Sequence, residues 1–372
     1  MIFQVRKQLI FAVILALLGA ANVTALRAAG AVNPNDTARL LAGIPPAVNS
    51  PLAAVTRTPG WRSHAAIMDK AWASFEHRQV TRIRVWAAAT LQARRPVMFY
   101  MFGGPDFIHA DAFFPDASVY VLSGLEPIGP LPDISRLPEG TLAASLGALR
   151  QSLNNYLQYG YFITSEMGTQ LRTRKLSGVL PVLYVFLARS GKTIHQIRFV
   201  TLNGRGETVP VRGKRKPAGV RITYSGPDGR SRTLFYFRTD ISNAGLRKSA
   251  FLKFCTKLGQ GDALIKSASY LMHLGNFSKV REFLLGRSAT IVQDDSGIPL
   301  KYFTPGSWRL RPFGQYAGPI EEFKRHYQSD LAQLFQSGRA RKVNFGIGYH
   351  WHPQRTNILV ANPLALQGTR PQ

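Results

Sequence analysis

Four apolar runs in this chain end in residues of the kinds that do chemistry. Asp106, His109 and Asp111 follow the first, at 96–102, and Glu126 follows the second, at 118–123. Lys266 lies near the end of the third, at 263–267, with Tyr270 and His273 after it, and Asp294 and Asp295 close the fourth, at 289–293. Carboxylates and a histidine brought into one cleft can bind a divalent cation or divide general acid and general base work. The candidate catalytic set is therefore Asp106, His109, Glu126, Asp294 and Asp295, with Lys266, Tyr270 and His273 lining the same cleft. Plain turn chemistry fits too. Asp106 is placed to cap a short helix, and Asp294-Asp295-Ser296-Gly297 is an ordinary turn sequence.

Other motifs say less. His350 and His352 would share one face of a strand, yet Trp351 and Pro353 suit a surface loop and no Cys or carboxylate is near in sequence to complete a metal shell. Ser190-Gly191-Lys192-Thr193 has the ending of a phosphate loop, but the required earlier glycine is Phe186. Trp61, His64, Asp69 and Trp72 share a helical stripe, which fits core packing as well as a sugar platform. Gly-x-Ser-x-Gly and His-Glu-x-x-His are absent, and no motif names a cofactor.

The elements that must position these groups follow from periodicity. Runs 97–102 and 118–123 look like buried strands of a parallel sheet, with a short helix to Phe113 between them. The pattern predicts helices over 61–89, with a break near Gln79, and over 141–159, 165–177, 243–258, 277–286 and 318–337. Residues 179–188 are another long apolar run. Segments 193–202, 219–224 and 231–239 alternate as strands of a meander, the last two joined by Gly226-Pro227-Asp228-Gly229. Strands are expected again at 263–267, 289–293 and 343–349. The expected fold class is α/β, mostly parallel β-α-β units with an antiparallel β-meander insert. One domain over 61–361 is expected, either integrated or as two joined halves (61–190 and 240–361) around 191–239, followed by a tail at 362–372. In such sheets ligands sit beyond the carboxyl ends of the strands, where every candidate residue falls.

The chain has 372 residues, 45% hydrophobic, with a net charge of +27 from 33 Arg and 14 Lys against 12 Asp and 8 Glu. That composition excludes a disordered, collagen-like or disulfide-scaffold protein. Cys255 is the lone cysteine, so no internal disulfide can form, and its apolar neighbours suggest a buried helix face. Arg6 and Lys7, an apolar run over 9–21 and Val23-Thr24-Ala25 make a secretory signal peptide at 1–25, cleaved near Ala25. A leader rich in Pro and Ala, expected to be extended, fills 26–60. No later run reaches about 18 apolar residues, so no transmembrane segment is expected after cleavage.

The segments Phe102-Gly103-Gly104-Pro105-Asp106-Phe107, Gly124-Leu125-Glu126-Pro127, 266–273 and 293–299 resemble those of a family of uncharacterised exported bacterial proteins. The likeness spans about Trp61 to Ala361. It implies an envelope setting and one integrated unit, and it brings no activity, cofactor or catalytic residue.

An exported cationic chain has partners other than nucleic acid: lipid headgroups or an anionic envelope polymer. Arg205, Arg212, Lys214, Arg215 and Lys216 crowd 203–217 beside a single acid, Glu207, and form the expected anion-binding loop. The expectation for function is thus binding of an anionic envelope component in the periplasm or outside the cell. The alternative is a hydrolase acting on an envelope glycan or ester through the carboxylate and histidine cleft.

Overall fold

The computed structural model describes residues 32–91, 94–162, 175–211 and 216–364. The expected signal peptide, most of the helix expected over 165–177, and Arg212, Lys214 and Arg215 lie outside the described residues. The compact unit begins at Pro34. Its elements run α1 (Pro34–Leu41), α2 (Pro59–Phe75), α3 (Thr81–Thr90), β1 (Val97–Tyr100), α4 (Phe107–Phe113), β2 (Val119–Gly124), α5 (Glu139–Tyr159) and α6 (Leu180–Arg189). Then come β3 (Thr193–Leu202), β4 (Thr208–Pro210), β5 (Gly219–Ser225), β6 (Ser231–Arg238), α7 (Asn243–Arg247) and α8 (Phe251–Lys257). The chain closes with β7 (Gly261–Ile265), α9 (Ser278–Arg287), β8 (Ser288–Gln293), β9 (Trp308–Gly314), α10 (Ser329–Gln336) and β10 (Asn357–Pro363).

All ten strands join one sheet, ordered β4-β3-β5-β6-β2-β1-β7-β8-β10-β9. The block β6-β2-β1-β7-β8 is parallel throughout. Within it β1 is central: the chain winds outward through β2 and β6 on one side, then returns to wind through β7 and β8 on the other. That is a doubly wound α/β arrangement, and its direction reverses between β1 and β7. Antiparallel pairs extend both edges, β5 and β3 beyond β6, and β10 and β9 beyond β8.

Helices cover both faces. Val97, Phe99 and Met101 pack into a cluster with Phe251 and Phe254 of α8, Val280 and Leu284 of α9 and Leu331 and Phe335 of α10. Alternation sends Tyr100 to the other face, where Phe107 of α4 meets Tyr120 and Tyr224 edge-on at 5.3 and 5.5 Å. Cys255 is fully buried on α8. No helix among the described residues is long and apolar enough to cross a membrane.

Several expected boundaries move, each for a local reason. Part of the expected extended leader is the helix α1, whose last carbonyls are met by side chains of α2: Trp61 Nε1 donates to Leu40 O (3.0 Å) and His64 Nε2 lies 2.9 Å from Leu41 O. The break expected near Gln79 in the helix over 61–89 is present, as a π-turn at Glu76–Val80. The run at 179–188 is helix α6, buried on all sides, so its sequence carries no polar stripe to mark the helical period. The helix expected over 243–258 is two, α7 ending at Arg247 and α8 starting at Phe251, whose N–H donates to the Ser249 hydroxyl. The helix expected over 318–337 is a 3-10 turn, Glu321–His326, followed by α10. Residues 343–349 form no strand, only an isolated bridge between Ile347 and His350. The last strands are instead β9 and β10.

Candidate functional site

Beyond the carboxyl ends of β1, β2, β6 and β7 lies a cavity of about 330 Å³. Tyr100, Gly103, Gly104 and Asp106 line it from the first loop, Glu126 from the second, Asp240 from the loop after β6, and Lys266 to Ser269 from the loop after β7. It therefore sits at the point where the sheet reverses its winding, the place where open α/β sheets bind ligands.

Asp106 anchors the floor. Its Oδ1 caps α4 by accepting from His109 N (3.1 Å) and also accepts from Tyr156 Oη (2.5 Å). Its Oδ2 accepts from Tyr100 Oη (2.9 Å) and pairs with Lys266 Nζ (2.9 Å), which donates in turn to Gly160 O (2.6 Å). The His109 ring closes the cluster with Nδ1 2.9 Å from Tyr156 Oη and 3.1 Å from Asp106. Burial opposes ionisation of Asp106, but the charges of His109 and Lys266 and the hydrogen bonds from His109 and Tyr156 hold its carboxyl well below the usual range. Burial pushes His109 down, against the upward pull of the Asp106 charge and hydrogen bond. Burial and the nearby Asp106 charge raise both tyrosines, which remain hydroxyl donors.

Glu126 is the carboxylate turned toward the cavity. Tyr236 Oη donates to its Oε2 (3.2 Å) and lies 3.1 Å from its main-chain oxygen, fixing the group at the end of β2. A side chain at Gly124 would meet that carboxylate, since its Cβ would fall 2.3 Å from Oε2.

Asp294 and Asp295 turn away to another task. Asp294 Oδ2 accepts from Ser267 N (2.9 Å), Asp295 Oδ2 accepts from Tyr270 Oη (2.6 Å), and Ser296 Oγ accepts from Ala268 N (2.7 Å). They hold the loop after β7, in which Ser267, Ser269 and Tyr270 adopt positive φ of 50°, 49° and 54°. Non-glycine residues in that region cost about 1–3 kcal/mol each and persist only where neighbours over-determine them. Burial raises both carboxyls above the ordinary range, with the charge of Asp295 adding to the effect on Asp294. Tyr270 and His273, in and just past the same loop, meet edge to face with ring centroids 5.2 Å apart and do not line the cavity. Asp111 faces elsewhere, paired with Lys192 at 2.7 Å. His350 is buried with Nε2 2.8 Å from Gly318 O. Among the described residues no group of three or more His, Cys, Asp or Glu is placed to hold a metal ion.

The structure thus brings Asp106, His109, Glu126 and Lys266 together and sets Asp294, Asp295, Tyr270 and His273 behind them. Tyr100, Tyr156 and Tyr236 escape sequence reasoning. Tyr100 could be found by strand alternation from Phe99, whereas nothing local signals that the hydroxyl of Tyr156 reaches Asp106 from α5.

A second concavity, about 920 Å³, lies along the meander and is lined by Ile128, Phe199, Val200, Val209, Arg198, Lys216, Arg221 and Arg238 among others, with no carboxylate. Of the expected anion-binding loop, Lys216 joins this groove. Arg205 is exposed and lies 3.5 Å from Glu207, whose other oxygen takes Lys257. Comparison with protein-family models, curated proteins and solved structures finds no match for the chain.

Proposed function

We propose that the protein is exported to the bacterial envelope and there binds an anionic amphiphile, of the phospholipid kind, in the groove along β3 and β5. The observation that carries this reading is the pair Arg198 and Arg221. They are register partners on adjacent antiparallel strands, and both are exposed. Like charges directly opposite each other destabilise a sheet. Arg221 lies over the Phe235 ring at 6.0 Å, and neither guanidinium has an ion-pair partner among the described residues. A bound phosphate supplies the counter-charge that the described residues do not, and the apolar lining suits hydrocarbon. The cationic, then apolar, then small-residue start of the chain supports export, and a net charge of +27 suits an anionic surface.

The test is co-sedimentation with phosphatidylglycerol vesicles against phosphatidylcholine vesicles, for the protein and for Arg198→Ser with Arg221→Ser. Juxtamembrane cations are worth about 1 kcal/mol each near an acidic bilayer, so the double variant should lose about 2 kcal/mol of a salt-sensitive affinity. Unaltered binding overturns the groove assignment. Retention of a soluble anionic polymer without vesicle binding moves it to a wall polymer.

The hydrolase reading rests on the raised carboxyls of Asp294 and Asp295, a shift common at acid-base sites. It is the weaker reading, because both carboxylates are spent holding the loop after β7 and Asp106 is committed to Lys266.

A further inference from the structure

We propose that the cleft at the carboxyl ends of β1 and β7 binds a nucleoside that carries no phosphate, with its ribose diol on Glu126. Four observations converge on this ligand, and none of them involves the basic groove.

The first is place. In a doubly wound sheet the crevice at the reversal of winding is where nucleosides sit, with an acidic residue some 20 positions past the first glycine turn taking the ribose hydroxyl. Here Gly103-Gly104 follows β1, and Glu126 follows β2 and lines the same cavity. The second is the state of that carboxylate. Tyr236 holds its Oε2, while Oε1 has no hydrogen-bond partner among the described residues. A carboxylate fixed by one oxygen and open at the other is a ready acceptor for a diol.

The third is room for close approach. Gly104 has φ +57°, and the nearest atom to a Cβ built there is Glu126 Oε2 at 3.7 Å. Position 104 therefore opens onto the carboxylate, and any side chain would enter the ligand's space. Phe102, Tyr161 and Phe162 add flat aromatic walls, and Leu125 an aliphatic one, of the kind that suits a base.

The fourth decides against phosphate. In dinucleotide binders the pyrophosphate sits at the start of the first helix. Here that place holds the carboxylate of Asp106, whose oxygens are taken up by His109, Tyr156, Tyr100 and Lys266. Among the described residues the lining counts three carboxylates, Asp106, Glu126 and Asp240, against one ammonium, Lys266. In a chain of net charge +27 this is a locally acidic cavity, which repels a polyanion and accepts a neutral or cationic nucleoside.

The experiment is calorimetric titration of the full chain with adenosine, guanosine, cytidine, uridine and S-adenosylmethionine, each probe set against ATP and NAD. At least one phosphate-free probe should bind ten times or more tightly than ATP and NAD. Its 2′,3′-dideoxy analogue should bind at least tenfold more weakly, a comparison that needs no variant. Glu126→Gln should reproduce that loss, while Arg198→Ser with Arg221→Ser leaves nucleoside binding unchanged. Equal or tighter binding of ATP or NAD, indifference to the diol, or no binding of any nucleoside at millimolar concentration overturns the proposal. None of these results bears on vesicle binding, so this site and the basic groove fail separately.

Discussion

The cleft above β1 and β7 and the groove beside β3 and β5 belong to one sheet and handle charge in opposite ways. In the cleft, Asp106 and Lys266 are nearly inaccessible and each answers the other, with tyrosines and a main-chain carbonyl taking the remaining valences. In the groove, Arg198 and Arg221 stand exposed and opposite one another. A charge that is buried must be paired to be tolerated, so it becomes structural. An exposed charge in high dielectric costs little to leave unpaired, so it stays available to a partner. Charged side chains thus build a frame in one region and, under the proposed function, a contact surface in the other.

Breaking the buried pair should have the largest effect. Asp106→Asn leaves Lys266 buried without a counter-charge and should cost about 3–5 kcal/mol of stability, read from urea denaturation. Asp106→Asn combined with Lys266→Met should recover much of that loss. A single variant as stable as the parent would show that the pair is not what holds the β1 and β7 loops together.

A smaller effect is expected from pH. Burial pushes Asp262, at the β1 edge of β7, from 3.8 up to about 6. The folded state favours its protonated form, so this contribution to stability is complete below about pH 4 and is lost as pH rises to about 6. His64, pushed by burial from 6.5 down to about 4, acts in the opposite sense, with stability present above its ordinary value and lost as pH falls. The difference between parent and Asp262→Asn isolates the carboxylate. The parent should lose about 2–3 kcal/mol more than the variant between pH 4 and pH 6.5. Parallel stability curves for the two proteins would contradict the assignment.

The smallest effect belongs to the groove. Arg198→Ser should raise stability by a few tenths of a kcal/mol, since it removes a like-charge cross-strand pair. Destabilisation beyond about 1 kcal/mol would mean that the arginine is part of the frame after all.

The legible parts of this sequence are those whose burial leaves one pattern. The runs at β1, β2, β7 and β8 are largely apolar because parallel central strands are covered on both faces. Their ends therefore marked the cleft edge, and the candidate residues fell there. Helix α6 is equally apolar and so gives no period. β9 was hidden because Arg309, Arg311 and Pro312 interrupt it, and β10 because Asn362 and Pro363 end it in turn-like residues. Within the cleft, adjacency to a strand end does not say which way a side chain turns. Glu126 enters the cavity, while Asp294 and Asp295 hold a strained loop whose positive φ angles no local motif announces. The basic groove was only half visible, since Arg198 and Arg221 lie on strands whose register sequence alone does not give.

The most direct test of two separate, oppositely charged regions crosses the variants with the ligands. Glu126→Gln and the double variant Arg198→Ser with Arg221→Ser would each be titrated with phosphatidylglycerol vesicles in low and high salt. The account predicts that the double variant loses salt-sensitive vesicle binding while Glu126→Gln keeps it in full. Equal vesicle binding by parent and both variants would place the attraction in the overall charge of the chain and remove the groove from the account.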